Sequence, residues 1–195
     1  MIRKHNRMAS ADNQLPANAH RVFKGTIFEV WQWEQVMFDG STQTFERLKR
    51  NDSVQVIASV GNKIVIQDQE QPDRTAFVSF PGGRCDGNEE PLAAAQRELK
   101  EETGYVSDEW HLLRSVKPYD KMIYTVHTFI ARSCIRKSQQ MLDSGEKIQN
   151  RLISFDDFLA LADNPQFRNR IFVGDLLRAR YEPQAREELR RALFG

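Results

Sequence analysis

The chain has 195 residues, of which 28 are basic and 27 acidic, for a formal net charge of +1, and 40% are hydrophobic. Such a chain is long enough for one domain with its own core, and its composition excludes a disordered, collagen-like or coiled-coil protein. The balanced charge excludes broad electrostatic attraction to nucleic acid or an anionic membrane, so any phosphate affinity must be local or come through a bound cation.

Residues 1–19 are polar and read as a flexible leader, followed by a single domain over 20–195. The first residues, Met1-Ile-Arg-Lys-His-Asn-Arg, start basic but then turn polar, which does not match a secretory signal. No apolar run approaches the roughly 20 residues needed to span a bilayer. Arg21 to Phe38 reads as a strand, Asp39-Gly40 as a hairpin turn, and Ser41 to Arg50 as the returning strand. Val54–Val60 and Lys63–Gln69 follow as short strands joined at Gly61-Asn62, the first apolar enough to be buried. A loop with Pro72 leads to a strand at Phe77–Phe80 and then to Pro81-Gly82-Gly83.

Glu89 to Thr103 has the strongest helix signals. Pro91 suits the first turn, Leu92, Ala95 and Leu99 form an apolar stripe, and Gly104 sits where a C-terminal cap belongs. Strands resume at Trp110–Val116, Met122–Ala131 and Lys147–Ile153. Ser154-Phe-Asp-Asp157 is a capping signature opening a helix through Ala162, and two further helices are predicted at Arg168–Tyr181 and Pro183–Phe194. Many strands, one central helix, more strands and then helices give an α+β architecture. The two cysteines, Cys85 and Cys134, form no CxxC and no cluster with histidine, which favours a reducing, cytoplasmic setting.

The chemistry is concentrated after Gly83. Glu98, Glu101 and Glu102 stand at i, i+3 and i+4, so their carboxylates share one helix face and repel. A hard divalent cation relieves that repulsion, and magnesium suits an all-oxygen cluster that leaves room for substrate phosphates. The glycine pair lets the backbone approach closely, so the Gly82 carbonyl is a further ligand candidate. Arg97 binds no metal but can hold Glu98 or Glu89 by charge-assisted hydrogen bonds.

The whole stretch resembles the Nudix box: Gly83, five residues, Glu89, seven residues, then Arg97-Glu98-Leu99-Lys100-Glu101-Glu102-Thr103-Gly104-Tyr105. Every fixed position over 83–105 is met, and Tyr105 departs from the final aliphatic position. The resemblance implies an α/β/α sandwich around a mixed β-sheet, with an N-terminal β-hairpin over 21–50 and C-terminal helices. It implies hydrolysis of a nucleoside diphosphate linked to a further moiety, assisted by Mg2+ or Mn2+. Glu98, Glu101, Glu102 and the Gly82 carbonyl become metal ligands; Arg97, Glu89 and Gly83 support them.

Beyond the box, the hairpin and the Ser144-Gly-Glu-Lys-Ile148 loop are similar to the branch acting on ADP-ribose and nucleotide sugars. That similarity implies Glu146 as catalytic base and a homodimer built through the hairpin. Phe28, Trp31 and Trp33 are stacking candidates for a base, and Arg47, Lys49, Arg50 and Arg84 are phosphate candidates. Ser79-Phe-Pro-Gly-Gly83 and Lys117-Pro-Tyr-Asp120 differ from the Leu-Pro-Ala-Gly and Ser-Pro-Gly signatures of that branch, so a nucleoside triphosphate or dinucleotide remains an alternative substrate. A non-catalytic nucleotide sensor is the alternative outside enzymes. His111 and His127 read as structural, and the C-terminal Arg178, Arg180, Arg186, Arg190 and Arg191 as a charged helical surface rather than a nucleic-acid site.

Overall fold

A computed structural model describes residues 14–195, so most of the expected leader, residues 1–13, lies outside the described residues. The remaining leader residues form a turn in which Ala19 N donates to Pro16 O. The strands are β1 (His20–Lys24), β2 (Glu29–Val36), β3 (Thr42–Lys49), β4 (Ser53–Val60), β5 (Lys63–Gln71), β6 (Arg74–Ser79), β7 (Tyr105–Val106), β8 (Glu109–Val116), β9 (Met122–Ile123), β10 (Val126–Arg132), β11 (Ile135–Arg136) and β12 (Lys147–Ile153). The helices are α1 (Pro91–Thr103), α2 (Phe155–Ala160), α3 (Val173–Tyr181) and α4 (Pro183–Phe194). Packing divides the described chain into two compact units, one running up to Asp52 and including Val116–Val126, the other Ser53–Ser115 with His127–Gly195.

The smaller unit holds a sheet in the order β1-β2-β3-β9, antiparallel except for the parallel pair β3–β9. The long strand expected over 21–38 is itself folded into a hairpin. Gly25 N donates to Phe28 O at 2.8 Å, closing a turn between β1 and β2, whose pairing contains an irregularity between Arg21 and Phe23. Apolar residues on both sides of that turn concealed it from a reading based on strand composition.

The larger unit is organised by the two faces of one sheet, ordered β12-β5-β4-β10-β8 with β6 added beside β5. Alternation along a strand sends successive side chains to opposite faces. Val54, Val56 and Ala58 of β4, Val65 of β5 and Phe129 and Ala131 of β10 therefore pack with Ala94, Ala95 and Leu99 of α1. Their neighbours Ile57, Ile64, Ile66 and Ile130 enter the other core, with Phe158, Phe167, Phe172, Leu176 and Leu193. Helices on both faces of a mixed arrangement of strands give the expected α+β sandwich. Cys85 and Cys134 are buried in the α1 core, and burial pushes the Cys134 thiol up to about 12, away from any nucleophilic role.

Several sequence expectations meet their elements closely. Lys147–Ile153 and Pro183–Phe194 are β12 and α4, and Ser154 and Asp157 close a reciprocal capping box on α2. The strand expected over Met122–Ala131 divides instead: β9 joins β3, while β10 joins the larger sheet. Thr125 N, at the break, donates to the Asp52 carboxylate at 2.7 Å rather than to a strand. The helix expected from Arg168 begins as a 3-10 turn, Arg170–Phe172, before α3.

The end of α1 depends on Gly104. It takes the left-handed conformation (φ 74°) and donates its N–H to Lys100 O, while its carbonyl accepts from Lys137 N and Ser138 N. A Cβ at this position would stand 2.1 Å from the Ser138 carbonyl oxygen. Gly104→Ala should therefore lower stability by more than the ~1–2 kcal/mol of the left-handed backbone alone, read as a fall in the urea midpoint at unchanged slope.

Candidate active site

The helical stripe that buries α1 continues into its acidic end. Position 102 follows Ala95 and Leu99 at helical spacing, so Glu102 faces the sheet and is only 4% exposed. Glu101, one position back, turns outward, and Glu98 lies between these extremes. Three glutamates on one helix face thus occupy three different environments.

Glu102 is held at both ends. Its Oε2 accepts from Gly82 N at 2.8 Å and from Gln67 Nε2 at 3.3 Å. Its main-chain carbonyl accepts from Gln140 Nε2 at 2.6 Å and Asn150 Nδ2 at 2.7 Å, satisfying an orphan acceptor of the helix end. Burial raises the Glu102 carboxyl to about 8, against the lowering effect of the Gly82 N–H and with added repulsion from Glu98 and Glu146. Burial likewise raises Glu98, opposed by Arg97 and reinforced by Glu101 and Glu146. Glu146, in the turn before β12, is raised by burial and by the charges of Asp143 and Glu101. The mutual repulsion places Glu146 within electrostatic reach of the helix carboxylates, as its sequence position alone could not.

Arg97 ties the cluster together. Its Nε and one Nη grip Glu89 at 3.0 and 2.9 Å, and its other Nη donates to Glu98 at 3.0 Å and Glu101 at 3.1 Å. The Glu89-facing edge also reaches Arg84 O at 3.1 Å. Hydrogen bonding to Arg97 keeps Glu89 below the usual carboxylate range, and these bonds raise Arg97 itself.

The glycine loop is there for close approach. Pro81 O and Gly83 O accept from Val56 N and Val54 N, laying the loop along β4. A Cβ on Gly82, whose φ is 149°, would fall 2.2 Å from Val54 O, and one on Gly83 would fall 2.3 Å from Glu98 Oε1. Gly82 tolerates no side chain, because the clash is with backbone, whereas one at Gly83 would displace the flexible end of Glu98. The oxygens available to a hard cation are the carboxylates of Glu98, Glu101, Glu102 and Glu146 and the carbonyl of Gly82. Among the described residues no three acidic, histidine or cysteine side chains already converge as a formed cation cage.

The remaining predicted residues have partners of their own within their units. Trp33, in the smaller unit, is 6% exposed, with its ring 6.0 Å from Phe45 and Arg47 over it at 5.7 Å. Trp31 donates Nε1 to Glu29 and lies between Arg21 and Lys49, while Arg50 sits over the Tyr124 ring at 4.9 Å. Phe28 is half-buried beside the β1–β2 turn. Arg84 is in the box loop, bridged backbone to backbone with Ser53 and 3.9 Å from Asp86. Sequence reading missed Gln67, Gln140 and Asn150, all of which bond Glu102. Only Gln67 carried a signal: it is two residues beyond the core Val65 on the same strand face.

Residues 49–173 match the family model of the NUDIX domain. That match spans more than half the chain, which belongs to the Nudix hydrolase family. It is 25% identical over 150 residues to an ADP-ribose pyrophosphatase of Bacillus subtilis (strain 168), covering 74% of this chain and 80% of the relative. It is 29% identical over 146 residues to the methanol dehydrogenase activator of Bacillus methanolicus, covering 71% and 77%. In fold it is similar to a crystal structure of an ADP compounds hydrolase, with TM-score 0.70 and 20% identity over 87% of this chain and 94% of the other. No helix among the described residues is long and apolar enough to cross a membrane.

A carboxyl raised from 4.5 to about 8 on folding binds a proton that the unfolded chain releases, so stability falls as pH rises between those values. The carboxylates held low, such as Glu89, titrate below that window. Protein stripped of divalent ions should therefore melt roughly 5–10 °C lower at pH 8.5 than at pH 5.5. Calorimetry should find a smaller decline in Glu102→Gln.

Proposed function

We propose that the chain is a metal-dependent Nudix pyrophosphohydrolase that cleaves the diphosphate of a nucleoside diphosphate derivative, with ADP-ribose or an ADP-sugar as its substrate. The observation that carries this reading is the acidic end of α1, where Glu102 meets Gly82 and Glu98 meets Gly83, both carboxyls raised by burial. Desolvated carboxylates that repel one another are stable as anions only with cations among them. Arg97 supplies one such charge, and the remaining oxygens suit magnesium or manganese. Glu98, Glu101, Glu102 and the Gly82 carbonyl would hold the ion. Support for Gly82 comes from its neighbours, whose carbonyls are already committed to β4.

A divalent ion here would neutralise the diphosphate and lower the pKa of an attacking water. The chain supplies the rest. Arg97 and Glu89 fix the helix carboxylates, and Gly83 leaves space for Glu98. Glu146 takes the proton of the water at its carboxylate, a role favoured by a pKa raised toward neutrality. The likeness to the named ADP-ribose pyrophosphatase supports the substrate class. Exposed Val22, Phe23 and Ile27 on the smaller unit support a homodimer through the hairpin.

With magnesium and ADP-ribose, the products expected by chromatography are AMP and ribose 5-phosphate. A monophosphate with pyrophosphate, released only from triphosphates, would move the substrate class. Glu98→Gln and Glu102→Gln should each lower kcat by about a hundredfold or more at saturating magnesium. Glu146→Gln should abolish the acidic limb of the kcat–pH profile. Light scattering should give twice the chain mass, and Phe23→Asp should return it to one.

A further inference from the structure

Strand β5 carries two glutamines, Gln67 and Gln69, on the face that meets α1, where Val65 belongs to the core. Both are buried, Gln67 completely. A buried carboxamide is tolerated only when its donor and acceptor ends are both matched. Gln69 Nε2 donates to Gln67 Oε1 at 2.7 Å and to Ser79 Oγ at 2.8 Å. Ser79 lies directly across from Gln67 in the β5–β6 register. With its oxygen already accepting, Gln67 has its Nε2 as the end that meets Glu102 Oε2, at 3.3 Å. Flipping that amide would set oxygen against carboxylate and NH2 against NH2. With Glu102 ionised, the ladder therefore has one favourable orientation.

We infer that Gln67 is a positioning residue that fixes the Glu102 carboxylate, with Gln69 and Ser79 fixing Gln67 in turn. The inference rests on the reading of Glu102 as a cation-holding carboxylate. Gly82 N and Gln67 Nε2 converge on the same oxygen, Oε2, which commits that atom and leaves Oε1 to meet a ligand. Groups that orient a ligating carboxylate in this way commonly change metal affinity or activity by 10–100-fold when removed. Glu102 is thereby held in one rotamer from two sides, the loop before α1 and the strand beneath it.

The test uses the full chain with Gln67→Met, which keeps length and volume but removes the donor. Mn2+ binding is followed by electron paramagnetic resonance without substrate, and kcat and KM are measured for ADP-ribose. The expected result is Mn2+ affinity and kcat each reduced about tenfold or more with KM within twofold, and a smaller change in the same sense for Gln69→Met. In a Glu102→Gln background, Gln67→Met should add less than twofold to either loss, because its partner is already gone. Unchanged Mn2+ affinity and kcat in a folded Gln67→Met protein, or an equal effect in both backgrounds, overturns the inference alone. Full activity and affinity in Glu102→Gln overturns the reading of Glu102 and the ladder with it. If Gln67→Met does not fold, Gln69→Met carries the same comparison, and wild-type behaviour there overturns the inference.

Discussion

A carboxylate set into the apolar stripe of a helix is the constraint around which the larger unit is arranged. An unpaired buried charge is among the costliest features a fold can hold, and Glu102 is nearly as buried as the leucine one turn before it. Its neighbours answer that cost locally. The Gly82 N–H and the Gln67 amide meet its side chain, and Gln140 and Asn150 meet its carbonyl. These groups come from the loop before α1, from β5, from the segment after β11 and from β12. The end of one helix therefore fixes the mutual placement of four otherwise separate pieces of chain.

The sheet makes this possible because its two faces do different work. Toward α2, α3 and α4 it presents isoleucines to a cluster of phenylalanines, in which Phe80 lies 5.2 Å from Phe167 and 5.6 Å from Phe172 with its ring edge-on to both. That face is mainly apolar, and the few polar side chains it buries are matched: Gln55 bonds Thr128 and Asn169, and Ser59 bonds the Leu193 carbonyl. Toward α1 the core is mostly Val, Ala and Cys around Leu99 and Phe129, and gives way to Gln67, Gln69 and Ser79 as β5 and β6 approach the acidic end of the helix. Small side chains let the helix come close, and the polar ones take over where carboxylates replace leucine.

Much of this was legible in the sequence because it rests on local chemistry. The box spacing placed the three glutamates on one helix face, Gly104 marked the left-handed cap, and Ser154 with Asp157 marked a capping box. What was not legible depended on pairings distant in sequence. The run from 21 to 38 has strand composition on both sides of Gly25, so only the Gly25–Phe28 bond reveals the reversal. The segment 122–131 has strand composition throughout, yet its parts answer to different strands. Gln140 and Asn150 carry no signal at all, because their partner is a backbone carbonyl some 40 residues away. The tryptophans illustrate the converse. Alternation places Trp31 and Trp33 on one face, but each is satisfied within its own sheet, Trp33 by burial and Trp31 by Glu29 and two cations.

Arg97 shows how spacing in sequence becomes a division of labour in space. A guanidinium has a fixed planar fork, and here one edge is spent on Glu89 in a two-bond pairing while the remaining nitrogen spans Glu98 and Glu101. The two-bond edge is the stronger anchor, since it pairs a carboxylate with matched geometry. The single nitrogen divides its protons between two acceptors and holds each less firmly. Glu89 thus keeps the arginine in place even when Glu98 and Glu101 turn to another cation, and a lysine, with one compact charge and no fork, could not serve both duties at once. The seven residues between Glu89 and Arg97 allow this because they contain the start of α1, which brings the arginine back over the loop that carries the glutamate.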